Sequence, residues 1–200
     1  MANVRTKKTD RRVVRTRNAI REAFTELLME TDYTKITITA LAKRADVDRK
    51  TFYTHYSSIE ALLEDVVRTQ MEEGMHDLGF PEFAADHNMY TRRLLTAIES
   101  SLPFTREQLR TVSKNIPTNE FLRIWTTIMK ERIESHHTTL SKDDDKRLEL
   151  LIEFYLGGVL NAYLCWLHSG SNIPFEDMLN LISNSVSKGL TGTISTHVRF

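Results

Sequence analysis

The sequence predicts an all-α fold of about nine helices. Glycine (7) and proline (4) are scarce among the 200 residues, whereas a fold of short strands and tight turns needs more of both. Apolar residues recur at spacings of three and four along the chain, as they do on one face of a helix. Hydrophobic residues make up 40% of the sequence, which is enough for one or two cores and excludes disordered and collagen-like chains.

The first predicted helix begins near Asp10 or Arg11 and ends near Glu30. Its apolar residues have the i, i+4, i+7, i+8 spacing of a single helix face, so this face needs a partner. They are Ile20, Phe24, Leu27 and Leu28.

Two short helices joined by a tight turn follow, in the order of a helix-turn-helix. Thr37 is expected to cap the first of them, which ends near Ala45. Asp48 is expected to cap the second, which extends from Arg49 to Tyr56.

The turn between these helices places Asp46 where a left-handed backbone is needed, a position that Asp tolerates better than most residues. Val47 and Phe52 are expected to pack into the core beside it. Ser57-Ser58-Ile59-Glu60 is typical of a capping box and predicts the start of a fourth helix. The inner face of that helix carries Leu62, Leu63, Val66, Val67 and Met71.

Five more helices are expected after a linker over residues 74–83, where Gly79-Phe80-Pro81 interrupts the helical pattern. The long apolar run from Phe154 to Leu167 is short for a bilayer span and predicts a buried helix. The expected helices are Met89 to Ser101, the capping box Thr105-x-x-Gln108 to Asn115, Thr118 to His137, Ser141-x-x-Asp144 to Ser169 with Gly170 closing it, and a last helix with Pro174 in its first turn.

Charge is distributed unevenly although the formal net charge is zero. Residues 1–56 hold 13 Lys and Arg against 7 Asp and Glu, and the remaining residues hold 14 against 20. A basic front end predicts contact with a polyanion. We therefore expect a short N-terminal module to contact a polyanion and the larger, acidic remainder of the chain to have a different role. The single cysteine, Cys165, and the lack of a signal peptide pattern favour a cytoplasmic protein with no membrane partner.

The second short helix has the composition of a DNA-reading surface. With Phe52 and Tyr56 facing inward, its other side chains can project outward and offer hydrogen-bond donors, a methyl group and an aromatic ring to phosphates and major-groove base edges. They are Arg49, Lys50, Thr51, Tyr53, Thr54 and His55.

Together these features resemble the DNA-binding domain of the TetR family of bacterial repressors, over residues 11–63. The resemblance implies an all-helical homodimer whose N-terminal heads bind a near-palindromic, double-stranded operator, and whose C-terminal domains bind a small molecule that releases the DNA. The matching positions are Ile20 and Phe24, Thr37 with Leu41-Ala42, the turn Ala45-Asp46-Val47, Thr51-Phe52-Tyr53-x-His55-Tyr56, and Glu60-x-Leu62-Leu63.

The resemblance also implies a basic arm and DNA-binding domain over residues 1–57, a helical regulatory and dimerisation domain over residues 58–200, and roles for single residues. Thr37 and Thr39 resemble contacts to phosphate or base edges, and His55 resembles a phosphate contact. Arg49, Lys50, Thr51, Tyr53 and Thr54 resemble the reading surface.

Two residues depart from the family pattern: Asp46 replaces a glycine, and Ile59 replaces a lysine that holds phosphate. Either a basic arm supplies compensating phosphate or minor-groove contacts, or the affinity for DNA is lower. The arm consists of Arg5, Lys7, Lys8, Arg11 and Arg12.

The C-terminal half offers two candidate sites, each with a simpler alternative. Trp125, Met129 and Tyr155 could line a ligand pocket, although aromatic and methionine residues at helical spacing are more often core. The second site is a dimer interface, for which packing within one subunit is the alternative. Its residues are Gly157 and Gly158 on the long helix and Phe175, Met178, Leu179, Ile182 and Val186 on the last helix.

The sequence therefore predicts a transcriptional regulator, in particular a repressor released by a small-molecule effector. Control by a protein partner instead of a small ligand is the second hypothesis. An enzyme is disfavoured, because the chain lacks the nucleophile-elbow, phosphate-loop, H-E-x-x-H and paired-cysteine motifs. No cofactor and no metal are expected, since His76, His87 and His136-His137 have no ligand partners at familiar spacing.

Overall fold

A computed structural model describes residues 3–75, 85–101, 104–134, 142–170 and 172–197. Over these residues the protein is all-helical, with nine α-helices and no strand, and the predicted fold class is confirmed. The helices are α1 (Asn3–Glu30), α2 (Ile38–Arg44), α3 (Arg49–His55), α4 (Ile59–Met75), α5 (His87–Ser101), α6 (Arg106–Asn115), α7 (Thr118–Glu134), α8 (Lys142–Ser169) and α9 (Phe175–His197), with a 3-10 turn at Tyr33–Lys35.

The chain divides into two compact units. The first comprises Met1–Val66 with Lys114–Pro117, and the second comprises Val67–Ser113 with Thr118–Phe200. In the second unit α5 packs on α9, and α7 packs on α8. The core of the first unit contains Ile20, Phe24, Leu27, Leu28, Leu41, Ala42, Phe52, Leu62 and Leu63, all buried.

The predicted helix caps are present in the first unit. Thr37 Oγ1 accepts a hydrogen bond from the backbone N–H of Ala40 at 3.1 Å, and Asp48 caps α3 through the N–H of Thr51 at 2.6 Å. Each cap satisfies one backbone donor that the first helical turn leaves without a partner. At the start of α4 the capping side chain is Ser58, whose Oγ accepts from the N–H of Ala61 at 3.1 Å.

A reciprocal capping box opens α6, as the sequence predicts. The N–H of Thr105 donates to Gln108 Oε1 at 2.8 Å, and the N–H of Gln108 donates back to Thr105 Oγ1 at 3.3 Å. Gly170, with φ +63, closes α8 at the predicted position.

Other helix limits differ from prediction. Helix α1 begins at Asn3 and not near Asp10, because the polar residues before Asp10 include no proline or glycine and continue a helix without adding to its apolar stripe. Helix α9 is interrupted at Gly189, with φ 72 and ψ 173. Pro174 directly precedes α9, and its carbonyl accepts from the N–H of Met178. The linker residues 76–84, the predicted end of one helix near His137 and the predicted cap Ser141 lie outside the described residues.

A 24-residue stretch of α8, Lys146–Ser169, is long and apolar enough to cross a membrane by length and composition alone. One side of this stretch is buried in the second unit, through Ile152, Leu156, Leu160 and Leu167. Burial of this side agrees with the predicted core helix.

The turn between α2 and α3 is a Schellman motif. The N–H of Val47 donates to the carbonyl of Ala42 at 3.0 Å, and the N–H of Asp46 donates to that of Lys43 at 3.4 Å. This geometry gives Asp46 a φ of +51, so the predicted left-handed conformation is confirmed. Asp46 is exposed, and Val47 is half-buried. The direction in which α3 leaves the turn therefore depends on one strained, solvent-facing residue.

We expect Asp46→Gly to raise the free energy of unfolding by up to about 1 kcal/mol, because glycine adopts a positive φ without a steric penalty. The exposed Asp46 side chain gives up no packing when it is removed. Asp46→Ala is the matched control and should lower the same free energy, since alanine lacks the polar group that eases this conformation. Urea unfolding followed by circular dichroism measures both, and an alanine variant as stable as the glycine variant would contradict the assignment.

Candidate nucleic-acid interface

Helix α3 is anchored on one face and open on the other. Phe52 is fully buried and Tyr56 is 4% exposed, whereas Tyr53 between them is 50% exposed. The rings of Phe52 and Tyr53 meet edge to face, with centroids 5.7 Å apart. The Tyr53 ring is thereby supported by Phe52 while half of the residue remains exposed.

The predicted reading residues share this open surface. Arg49 and Lys50 form no ion pair within the part of the chain that the structure describes, so both charges are available to an external anion. The exposed members are Thr37, Thr39, Arg49, Lys50, Tyr53 and Thr54, and the half-buried members are Thr51 and His55. Ile59, at the first position of α4, is also half-buried and carries no charge.

The two threonine hydroxyls differ in what they can offer. Thr37 Oγ1 accepts the capping bond, so its own proton can still be donated. Thr54 Oγ1 already donates its proton to the carbonyl of Lys50 at 2.9 Å. Thr37 can therefore donate to a phosphate, whereas Thr54 offers a methyl group and oxygen lone pairs.

The predicted basic arm is part of α1. Arg5, Lys7 and Lys8 have helical backbone, and their side chains lie outside the described residues. Arg11 and Arg12 are exposed one to two turns further along the same helix. A helix presents these charges at the surface, whereas a minor-groove arm requires extended backbone.

A carboxylate on α4 holds the end of α3 in place, and the sequence analysis missed it. Asp65 accepts from Arg17 at 2.8 Å, from Arg21 at 2.7 Å and from the Tyr56 hydroxyl at 2.6 Å. The Arg17 guanidinium also lies over the Tyr56 ring, 5.5 Å from its centroid. We call these four residues the Asp65 network. It joins α1, the residue that ends α3, and α4 within the first unit.

The charged groups of the Asp65 network stabilise one another's ionised forms. Burial opposes ionisation of Asp65, but hydrogen bonds from Arg21 and Tyr56 and the nearby guanidinium charges outweigh it and lower the pKa of the carboxyl. Burial raises the pKa of the Tyr56 hydroxyl, which stays neutral and donates. Arg17 and Arg21 stand one helical turn apart beside the apolar stripe of α1, a spacing that could have suggested a shared acidic partner.

Two of the residues predicted as a ligand pocket, Met129 and Tyr155, both contact Tyr90 inside the second unit. Met129 accepts a weak hydrogen bond from the Tyr90 hydroxyl at 3.9 Å, and the rings of Tyr90 and Tyr155 are 6.3 Å apart. Trp125 is one turn before Met129 on α7 and is 5% exposed. With Thr91, which is bonded to Tyr155 at 3.0 Å, these residues form what we call the Trp125 cluster.

The residues predicted as a dimer interface separate into inner and outer positions. Met178, Leu179 and Ile182 are buried inside the chain's own second unit, where α9 packs on α5, and therefore offer no free surface. Phe175, Val186 and Gly157 are half-buried, and Gly158 is exposed.

The free apolar surface is on α8. Leu150, Leu151 and Phe154 are 69%, 60% and 83% exposed. They begin a solvent-facing stripe, the α8 face, which continues one side of the helix at spacings of three and four. Its members are Leu150, Leu151, Phe154, Gly158, Asn161, Ala162 and Cys165.

Two family models match the chain. The model described as bacterial regulatory proteins of the tetR family matches residues 20–66, and the model described as a transcriptional regulator C-terminal region matches residues 87–188. The first match contains α2, α3 and three residues of the Asp65 network, Arg21, Tyr56 and Asp65. The second match contains the Trp125 cluster and the α8 face.

Two known proteins are similar to parts or most of the chain. The uncharacterized HTH-type transcriptional regulator YxbF of Bacillus subtilis (strain 168) is 43% identical over 68 residues, which are 34% of this chain and 18% of that protein. The matched region thus spans less than a fifth of that relative's length. The solved structure of the flavonoid-responsive regulator FrrA is 18% identical, with a TM-score of 0.43, over 90% of this chain and 96% of FrrA.

We expect Asp65→Asn to lower the free energy of unfolding by about 2 kcal/mol at pH 7, because it leaves two arginines beside a neutral acceptor. The folded pKa of Asp65 lies below its unfolded value, so this stabilisation is complete above about pH 4 and is lost as the pH falls through the folded value. The difference in unfolding free energy between wild type and variant should therefore become smaller at acidic pH. Urea unfolding from pH 7 to pH 2.5 measures it.

Glu72→Gln is the control, because Glu72 is an exposed carboxylate on the same helix. It should change the unfolding free energy little at either pH. A gap between wild type and Asp65→Asn that stays constant over this pH range would show that the carboxylate charge does not hold the network.

Proposed function

The chain is a DNA-binding transcriptional regulator of the tetR family, and on that premise we propose that it is a cytoplasmic repressor which binds a near-palindromic operator as a homodimer and is released by a small molecule. The observation that carries the proposal is the open face of α3, with Tyr53 half exposed and Arg49 and Lys50 unpaired among the described residues. The Asp65 network holds this face rigid. We assign DNA binding to residues 1–57, and regulation and dimerisation to residues 58–200.

The chemistry of α3 fits a major groove. Arg49 and Lys50 supply charge at the start of the helix, where a phosphate can be held, and Tyr53 and Thr54 supply a ring, a hydroxyl and a methyl group to base edges. Thr37 adds a donor from the start of α2. Ile59 supplies no charge at the start of α4, so affinity depends more on α3 and on the helical basic segment of α1.

The α8 face supports a homodimer. A stripe with Phe154 at 83% and Leu150 at 69% exposure is costly to leave in water. A Cβ added at Gly158 would meet nothing within 4 Å in this chain, so the chain's own packing does not require a glycine there. A second copy crossing α8 at this point would use the missing side chain for close approach. We therefore move the proposed interface from the buried Met178, Leu179 and Ile182 to the α8 face.

Homodimerisation gives the regulator its specificity. One seven-residue recognition helix reads only a few base pairs, and two copies read two half-sites whose centres are about 34–36 Å apart. A ligand that binds better to a dimer with another separation of its heads weakens DNA binding by that difference in affinity.

Selection from random duplex pools should recover a near-palindromic site, with half-sites one helical turn apart. Binding to this site should weaken steeply with salt, since each neutralised phosphate contributes about −0.9 to the slope of log K against log salt. Tyr53→Ala should lower affinity for the selected site by at least tenfold with the slope unchanged, because it removes a base contact and no charge. Fluorescence anisotropy at two salt concentrations measures both quantities.

Lys50→Ala is the complementary variant, because it removes a charge and no ring. It should reduce the magnitude of the salt slope by about 2 for a dimer, one phosphate for each subunit. Recovery of no enriched site, or full affinity in Tyr53→Ala, would overturn the assignment of α3 as the reading helix.

Phe154→Glu should convert the dimer to monomers, because it places a charge within the apolar part of the α8 face. The isolated chain should lose little stability, since this side chain is 83% exposed. Sedimentation equilibrium measures the mass, and the operator affinity should fall together with it. Thr127→Glu adds the same charge at an exposed position of α7 and should leave the dimer intact. A Phe154→Glu protein that remains dimeric would place the interface elsewhere.

A further inference from the structure

An unpaired donor lies inside the second unit. The indole Nε1 of Trp125 is buried and has no hydrogen-bond acceptor among the described residues. Buried N–H groups in folded proteins almost always have a partner, and one that lacks a partner calls for an explanation such as a ligand or an ordered water molecule. The other tryptophan, Trp166, donates its Nε1 to the carbonyl of Ile173 at 2.9 Å.

The remaining polar groups of the Trp125 cluster are already engaged. Thr91 Oγ1 donates its single proton to the carbonyl of His87 at 2.6 Å, so in the 3.0 Å bond with Tyr155 the phenol is the donor. The Tyr90 hydroxyl lies 3.9 Å from the Met129 sulfur, a weak acceptor. None of these groups supplies the acceptor that the indole lacks.

The fully buried side chains described in the second unit are mostly apolar. Its fully buried polar side chains are Thr91, Thr126 and Ser183, and none of them is ionisable. Burial also raises the pKa of Tyr155, which therefore stays neutral. A charged ligand would find no opposite charge among these fully buried side chains, whereas a neutral ring system fits the tyrosines and the adaptable methionine of the Trp125 cluster.

We propose that Trp125 Nε1 is the hydrogen-bond donor for the effector, and that the effector is a neutral aromatic compound bearing a carbonyl oxygen that accepts this bond. The proposal rests on the proposed function, since it assigns a chemical class to the effector of that regulator. Methionine and aromatic side chains bind the ring, and the indole N–H fixes its orientation. A compound of the same shape without the oxygen leaves the donor unpaired and binds more weakly.

The test compares two ketones with their methylene analogues: acetophenone with α-methylstyrene, and benzophenone with 1,1-diphenylethylene. The chain has two tryptophans, so the ¹H–¹⁵N spectrum of the full-length protein contains two indole signals. A ketone should move the Trp125 indole proton downfield, and its methylene analogue should not. The Trp166 indole is already bonded to Ile173 and should stay in place, as an internal control.

Trp125→Phe identifies the moving signal and measures its contribution. It should weaken ketone binding by at least tenfold and change binding of the methylene analogues by less than twofold. The wild-type spectra carry the test even if this variant does not fold. Absence of binding by both ketones, or equal binding of a ketone and its analogue with no indole shift, would overturn the proposal. An indole proton already at a hydrogen-bonded position in the free protein would assign the missing acceptor to water and would also overturn it.

Operator binding separates this inference from the proposed function. If the protein binds its selected operator but neither ketone shifts the indole signal, the repressor assignment holds and the effector class is wrong. If a ketone binds through Trp125 and the operator affinity is unchanged, the ligand site holds and release by a ligand of this class is wrong. Both results together, a shifted indole and at least a tenfold loss of operator affinity, support the two proposals.

Discussion

The proposed DNA-binding surface depends on how α3 is held. A seven-residue helix has too few internal hydrogen bonds to be stable by itself. Phe52 and the Asp65 network therefore stabilise α3 through tertiary contacts. Phe52 fixes the rotation of α3 about its axis by full burial. Asp65 fixes its end, because three donors from α1 and from Tyr56 converge on one carboxylate within 2.8 Å. With both fixed, α3 keeps Tyr53, Arg49 and Lys50 on its exposed side.

Local features of this surface were predictable from sequence, and non-local ones were not. The caps at Thr37 and Asp48 and the positive φ of Asp46 each depend on a few neighbouring residues, so spacing alone determines them. The Asp65 network joins residues 48 positions apart along the chain. The sequence predicts Tyr56 as a core residue, and only the fold shows that its hydroxyl donates to the half-buried carboxylate of Asp65.

The second unit shows a different limit of sequence reasoning. Periodicity identifies an apolar face but not the element that covers it, so Met178, Leu179 and Ile182 are equally consistent with packing on α5 and with packing on another subunit. Helix α8 carries more information, since Leu150, Leu151 and Phe154 stand beside the buried Ile152, Tyr155 and Leu156. One side of the helix packs on the rest of its own unit, and the exposed α8 face is the surface that we propose for a second copy of the chain.

The chain passes from one unit to the other within α4 and at both ends of the segment Lys114–Pro117. Helix α4 carries Asp65 in the first unit and continues past Val67 into the second. Lys114–Pro117, at the end of α6, belongs to the first unit, where Asn115 donates to the carbonyl of Leu28 near the end of α1 at 2.7 Å. Asp65 on α4 and Asn115 at the end of α6 therefore both hold α1 through hydrogen bonds within the first unit.

Allosteric coupling between two sites is typically 1–3 kcal/mol, and the loss of one acceptor in a network such as that of Asp65 costs about 2 kcal/mol. Since these two energies are comparable, the proposed release of DNA requires the loss of only one or two of these bonds, which would free α3 from the orientation that they hold.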